Sequence, residues 1–383
     1  MNFELSDEQT LLREAAAGTL SRFKTVAAAR EALEGTAPPD LWPVACDAGW
    51  PGLLIDEEHG GAGLGGLDAM LVHVELGRVL ASVPLLGHVA ATAVLAAASG
   101  VDGDLLAALA TGDKRAALVP ARPPEDLEET WTVDGRRGRH RVGAAEVTGD
   151  RVSGGASWVI DAPGADVLVV AGVDGLAPVA MLLDAGAAGV SVEPTTRYDA
   201  TRSLGHVSLD AAAGARLEVG GDALARAWYL AQALLAAEAL GAVEESLKRS
   251  VEYAKERFTF GRAIGSYQAV KHGLVEVLRR QENLRSLLYY AGFAYDELPS
   301  ELAIAASAAR VGADEALDYG TREFVSVHGG IGATWEHDAP LYFRRAQLSR
   351  RLLGGAGDAA GRVAAELFAA GEAAAAGTAG AAA

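Results

Sequence analysis

The feature that most constrains this chain is a change of period. Between residues 116 and 220, short apolar runs are separated by turn residues, while on either side the apolar residues recur at helical spacing. Helix, then strand, then helix is not the alternation that builds a parallel doubly wound sheet. The expected fold is therefore α+β, with four segments. These are an N-terminal helical domain (1–115), a middle β-barrel or sandwich (116–220), a C-terminal four-helix bundle (221–370) and an Ala/Gly-rich tail (371–383) that ends disordered.

Local signals support each segment. Ser6-Asp7-Glu8-Gln9 has the form of a capping box opening a first helix, and Pro38-Pro39-Asp40 begins a second. Helix is expected from Leu67 to Val79 and again over Leu85–Gly112. In the middle segment, Val147 to Gly154 reads as strand, tight turn and strand around Gly149-Asp150. Further strands are expected at 116–119, 157–160, 166–171, 179–183, 190–194 and 206–209, and 121–138 reads as a polar, Pro-rich loop. Long helices are expected over 222–256, 266–293, 302–327 and 340–353.

Composition excludes several function classes. Acidic residues outnumber basic ones 51 to 33, for a net charge of -18, which disfavours nucleic acid and anionic lipid surfaces as partners. Cys46 is the single cysteine, so neither a disulfide framework nor a Cys-based metal site is expected. No uncharged apolar run reaches the ~20 residues of a membrane span, and the N-terminus lacks the basic and apolar regions of a signal peptide. A cytoplasmic location is the expectation.

Several motifs carry chemical possibilities. The loop Gly60-Gly61-Ala62-Gly63-Leu64-Gly65-Gly66 lacks the Lys-Ser/Thr of a phosphate loop and reads better as a helix linker. Arg257 and Thr259 place a cation and a hydroxyl at a turn, a combination that suits a pyrophosphate, and Gln268 and Phe260 suit an adenine edge and an aromatic ring. In isolation the same residues read as a charged turn with a core Phe. His328-Gly329-Gly330-Ile331-Gly332 is either a helix cap or a place where a cofactor meets bare backbone. Trp335-Glu336-His337-Asp338 contains acid and base types but reads first as capping. Trp158 is a barrel-core residue or a platform for a flat ring.

Together, in this order, these segments resemble the acyl-CoA dehydrogenase family over about Phe3 to Val363. The Gly-Gly-Ile-Gly-x-Thr-Trp-Glu-His run with Tyr342-x-Arg344-Arg345 resembles its actinobacterial subfamily in particular. The resemblance implies FAD held between subunits of a dimer or tetramer. It would place Arg257, Thr259, Phe260 and Gln268 at the pyrophosphate and adenine of a neighbour's flavin, Gly329 and Gly330 along the same adenosine, and Trp158 beside the isoalloxazine. It also implies an acyl-CoA substrate and an electron-transfer flavoprotein or similar acceptor.

The sequence departs from the family's pattern where the chemistry is done. The usual catalytic Glu position after the Arg-rich helix reads Leu353, and the alternative position on the first bundle helix reads Ala231 followed by Gln232. The flavin-contacting Thr after Trp158 is Ile160, the Gln before His328 is Ser326, and the flavin-contacting loop is reduced to Leu118-Val119-Pro120-Ala121. Glu238 stands two helical turns beyond Ala231 on the same face, between Ala237 and Ala239, and is the candidate displaced base, with burial expected to raise its pKa. Three readings follow: a subunit paired with a catalytically complete homologue, a self-sufficient flavoenzyme using Glu238 or another reaction, and a non-catalytic structural subunit.

Overall fold

The computed structural model describes residues 4–120, 132–133, 141–142, 144–195 and 197–381, with side chains excepted at 132–133, 141–142 and 372–381. The first helix, α1 (Asp7–Leu20), opens on the expected capping box: the Gln9 amide donates to Ser6 Oγ at 3.2 Å, and the Ser6 amide donates to Gln9 Oε1 at 3.1 Å. It is followed by α2 (Thr25–Ala32), which the sequence reading missed, and α3 (Trp42–Asp47), whose first amide is held by Asp40. Then come α4 (Gly66–Arg78), α5 (Leu86–Ala97) and α6 (Gly103–Thr111). The single helix expected over 85–112 is thus two, separated where Asp102 caps the amide of Asp104.

The Gly-rich loop is a compact linker, with Ala62, Gly63 and Leu64 amides donating to the carbonyls of Gly52, Ile55 and Leu53. A side chain at Gly61 would lie 2.0 Å from the Ile55 carbonyl oxygen, so the glycine serves packing and no phosphate role is needed to explain it.

The middle segment forms one sheet from β1 (Ala116–Val119), β4 (Ala145–Thr148), β5 (Arg151–Ile160), β6 (Val167–Asp174), β7 (Ala177–Asp184), β8 (Val190–Pro194), β9 (Leu204–Ala213) and β10 (Ala215–Leu217). Two short strands between β1 and β4, β2 (Thr132–Val133) and β3 (Arg141–Val142), pair with each other; the rest of the expected 121–138 loop, Ala121 included, lies outside the described residues. The sheet order is β10-β7-β6-β4-β5-β9-β8, with β1 parallel to β6. The β4–β5 hairpin turns at Gly149-Asp150 as expected, and the strand expected at 157–160 is the end of the long, bulged β5.

Strand β6 explains how the sheet joins the helices. Leu168 and Val170 pack with Val147, Val152, Met181 and Val207 in the sheet's own core, while Val167, Val169 and Ala171 join the large helical core. Both faces are buried, so the strand reads as a continuous apolar run without alternation.

The C-terminal helices are α7 (Gly221–Glu256), α8 (Gln268–Glu297), α9 (Leu302–His328), α10 (Ala339–Ser349) and α11 (Gly355–Ala381). The expected fourth bundle helix, 340–353, is the short α10. Helix α9 packs on the long helices α7 and α8 and also on α11, which continues as helical backbone to Ala381 where a disordered tail was expected. Alanine has the highest helix propensity, which favours helix there despite the glycines. Helices α4 and α7 touch backbone to backbone. A methyl at Gly241 would lie 1.8 Å from the Val74 carbonyl oxygen, and one at Gly77 would lie 2.0 Å from that of Glu238.

Candidate functional site

Two groups of residues emerge from the fold, one exposed and one buried. The exposed rim lies where α7 ends. A two-residue hairpin joins β11 (Phe258–Thr259) to β12 (Arg262–Ala263), with Phe260 and Gly261 both at positive φ, 49° and 79°. That geometry suits a primed turn, but a phenylalanine there is strained. Phe260 is also 93% exposed and Phe258 63%, an apolar presentation that a monomer rarely maintains. Arg257, Thr259 and Gln268 are exposed beside them, Gln268 as the first residue of α8.

The His328–Gly332 loop reaches the same end of the molecule. His328 stacks on Tyr253, one turn before Arg257 on α7, with ring centres 4.2 Å apart. The His337 ring centre lies 4.1 Å from that of His328, and Asp338 pairs with Arg249 of α7 and Arg30 of α2. The Trp335–Asp338 motif is therefore a latch that holds the glycine loop against α7. Burial, then the neighbouring His328 and Arg249, push His337 down to about 4, so the stack is neutral at physiological pH. Nothing approaches within 4 Å of where side chains at Gly329 or Gly330 would stand. A cleft of about 430 Å³ adjoins the loop, walled by Val325, Ser326, Gly332, Ala333 and Phe343. Bare backbone, an apolar cleft, exposed aromatic rings and an open guanidinium fit a planar base and a phosphate presented from outside the chain.

The buried group lies in the interior. Gln232 donates its Nε2 hydrogen to the Leu353 carbonyl at 3.1 Å, so the residue that follows Ala231 meets the other position where a base was sought. Arg310, buried and pushed down to about 10 by that burial, donates to the carbonyls of Ser349 and Leu352 and fixes the same turn. Leu353 itself has φ 47°. A cleft of about 830 Å³ lies toward the start of α7, lined by Ala97, Pro178, Arg226, Tyr229, Leu302 and Arg362. Tyr229 lies less than one turn before Gln232 on α7.

Glu238 does not carry the features of a base. It is ion-paired to Arg202 and, at 3.1 Å, to Arg345, whose Nε donates to Asp199 at 2.8 Å. Burial alone would raise its pKa, as expected from Ala237 and Ala239, but Arg202 and Arg345 outweigh burial and the net direction is down. That corrects the expectation: the carboxylate is held ionised by two guanidinium groups, and both oxygens are engaged.

Trp158 is likewise occupied. Arg197 lies over its ring at 4.2 Å from the centre, and His206 meets it edge-on at 4.7 Å. Ile160, Leu118 and Val119 are buried and offer no hydroxyl. Among these described residues Trp158 has a ring face covered and Ile160, Leu118 and Val119 supply no side-chain donor, whereas the rim at the end of α7 exposes both a ring and a guanidinium.

A family model described as acyl-CoA dehydrogenase, C-terminal domain, matches residues 222–367, and one described as acyl-CoA dehydrogenase, N-terminal domain, matches residues 6–102. The chain is 32% identical to the acyl-CoA dehydrogenase IpdE2 of Mycolicibacterium smegmatis over 368 residues, covering 95% of this chain and 100% of that protein. The chain belongs to the acyl-CoA dehydrogenase family. Acyl-CoA dehydrogenases are FAD-dependent oxidoreductases. Among solved structures, the Tcur3481-Tcur3483 steroid ACAD has a TM-score of 0.83 at 30% identity, covering 96% of this chain and 99% of that one. The ChsE4-ChsE5 complex from Mycobacterium tuberculosis has a TM-score of 0.83 at 28% identity, with the same coverage of both chains. Among the described residues, no helix is long and apolar enough to cross a membrane.

Proposed function

We propose that this chain is one subunit of a two-component acyl-CoA dehydrogenase, gripping the adenosine end of a flavin shared with a homologous partner that supplies the catalytic carboxylate. The observation that carries the proposal is the meeting of Gln232 with Leu353. One family base position, Leu353, meets there the residue beside the other, Ala231, and neither Leu353 nor Ala231 is an acid. The rim for a neighbour's cofactor is meanwhile open. Arg257 and Thr259 would hold the pyrophosphate, Gln268 and Phe260 the adenine, and Gly329 and Gly330 would line its path. The two similar structures, the ChsE4-ChsE5 complex and the Tcur3481-Tcur3483 steroid ACAD, support this pairing and an acyl-CoA of fatty-acid or sterol origin.

When bound, FAD supplies an acceptor for the hydride leaving the substrate β-carbon. This chain's residues bind and exclude water. The apolar rim would seal the flavin edge from solvent. Proton removal from the α-carbon needs a positioned carboxylate, which contributes about 10²–10⁴-fold, and neither Ala231 nor Leu353 provides one. An electron-transfer flavoprotein or similar acceptor would then reoxidise the enzyme.

The test is co-purification. Expressed alone, the chain should carry little or no flavin; expressed with a family member that retains the base, it should co-elute as a dimer or tetramer showing flavin absorbance. A yellow homo-oligomer that turns over acyl-CoA would replace this reading with the self-sufficient one. A colourless complex would replace it with the structural one.

A further inference from the structure

The buried ion pairs border a cavity that the dehydrogenase reading leaves unused. It measures about 180 Å³ and lies where the 38–40 stretch, the α4–α5 connection, the sheet and α7 converge. Its wall includes Ser82, Arg115, Asp161, Arg202, Ser203 and Glu238.

Arg202 is 5% exposed at its side chain. Its terminal nitrogens engage Glu238, and its Nε hydrogen has no acceptor among the described residues. A buried N–H without an acceptor is costly, and a ligand that accepts from it removes that cost. Arg115 adds a second guanidinium, packed against Gly164, where a side chain would come within 3.1 Å of it. Asp161 accepts from the Gly87 amide at 2.9 Å.

We propose that this cavity binds a carboxylate, whose oxygens accept from the free Nε hydrogen of Arg202 and from Arg115. The charges around it select this class. Arg202, Arg345 and Arg115 meet Glu238, Asp199 and Asp40, so the wall is balanced while Asp161 is protonated, and a bound monoanion leaves one excess negative charge where a dianionic phosphate leaves two. No group of three metal-ligating side chains exists among the described residues.

Asp161 makes binding proton-linked. Burial pushes it up to about 7, with Glu238 adding to the rise and the Gly87 amide, Arg202 and Arg345 opposing it. Below that pH it is protonated and donates to a bound carboxylate; above it, the ionised group repels one. Affinity therefore falls as pH rises through 7.

The carboxylate is either a free small acid or the far end of an acyl group. Glu238 lies seven residues beyond Ala231 on α7, about 10 Å along the axis, so a medium-length acyl chain anchored near Gln232 spans the interval. This second source rests on the function proposed above; the first does not.

The experiment is calorimetric titration of the full chain at pH 6.5 and 8.5 with glutarate, pentane-1,5-diol, adipoyl-CoA and hexanoyl-CoA. Glutarate binding that the diol cannot match, weakened about tenfold or more by Arg115→Gln, identifies a free acid. If glutarate fails, adipoyl-CoA should bind at least about tenfold tighter than hexanoyl-CoA, with the margin lost in Arg115→Gln, which identifies an acyl terminus. Asp161→Asn, which keeps an acceptor for Gly87, should flatten the pH dependence. Neither acid outbinding its uncharged counterpart, or Arg115→Gln leaving both unchanged, overturns the site. Flavin and partner are absent from the titration, so glutarate binding by a chain that no partner loads with flavin sinks the dehydrogenase reading alone.

Discussion

The rim at the end of α7 and the interior around Glu238 contain similar residue types and use them in opposite ways. At the rim, Arg257 and Phe260 face solvent, and the hairpin tolerates backbone strain to keep an aromatic ring outside. In the interior, Arg202 and Arg345 turn inward onto Glu238 and Asp199, and Arg197 covers Trp158. Open groups are available to a partner; engaged groups hold the fold. The comparison teaches that an acid in an apolar helix face is not a base until its partners are known.

The largest effect should come from breaking the interior. Glu238→Gln leaves Arg202 and Arg345 buried without their main counter-charge, and removing one member of a buried ion network costs about 3–5 kcal/mol. Urea unfolding at pH 7 should show that loss. A displaced base would instead lose activity at unchanged stability.

A smaller effect concerns Asp161. It ionises near its ordinary 3.8 when unfolded but near 7 when folded, so the folded chain holds the extra proton between those values. Its contribution is complete below about pH 4 and is lost as pH rises to 7, about 4 kcal/mol at most. Asp161→Asn should raise stability at pH 8 and flatten this part of the pH profile. An unchanged profile would mean that Asp161 is not the titrating group.

The rim gives the smallest stability change and the most specific one. Arg257→Ala should weaken flavin retention in the paired assembly by about 1.5–3 kcal/mol, read as flavin released on dilution, with an unaltered unfolding curve. Equal flavin retention would remove Arg257 from the site.

How much of this was legible follows from sequence distance. The Ser6–Gln9 capping box, the Gly149-Asp150 hairpin and the rim motifs each depend on residues a few positions apart, and the periodicity change alone orders the segments correctly. Helix α2 was missed because Lys24 gives it no side-chain cap. The interior network joins Asp199, Arg202, Glu238 and Arg345, partners 36 to 146 residues apart, and no local pattern announces it. The flanking alanines of Glu238 correctly indicated burial but not charge, because its arginines come from the segment before β9 and from α10. Arg197 over Trp158 was hidden for the same reason. The meeting of Ala231's neighbour with Leu353 could be anticipated only through the family resemblance, which assigned both positions one role.

The central claim is that this chain holds a partner's flavin and cannot itself take the substrate proton. Anaerobic mixing with an acyl-CoA, followed by flavin absorbance, tests it directly. The paired assembly should bleach, and should stop bleaching when the partner's carboxylate is neutralised, while this chain reconstituted alone with FAD stays oxidised. Bleaching by this chain alone, at a rate comparable to the pair and abolished by Glu238→Gln in a protein that still folds, would contradict the account.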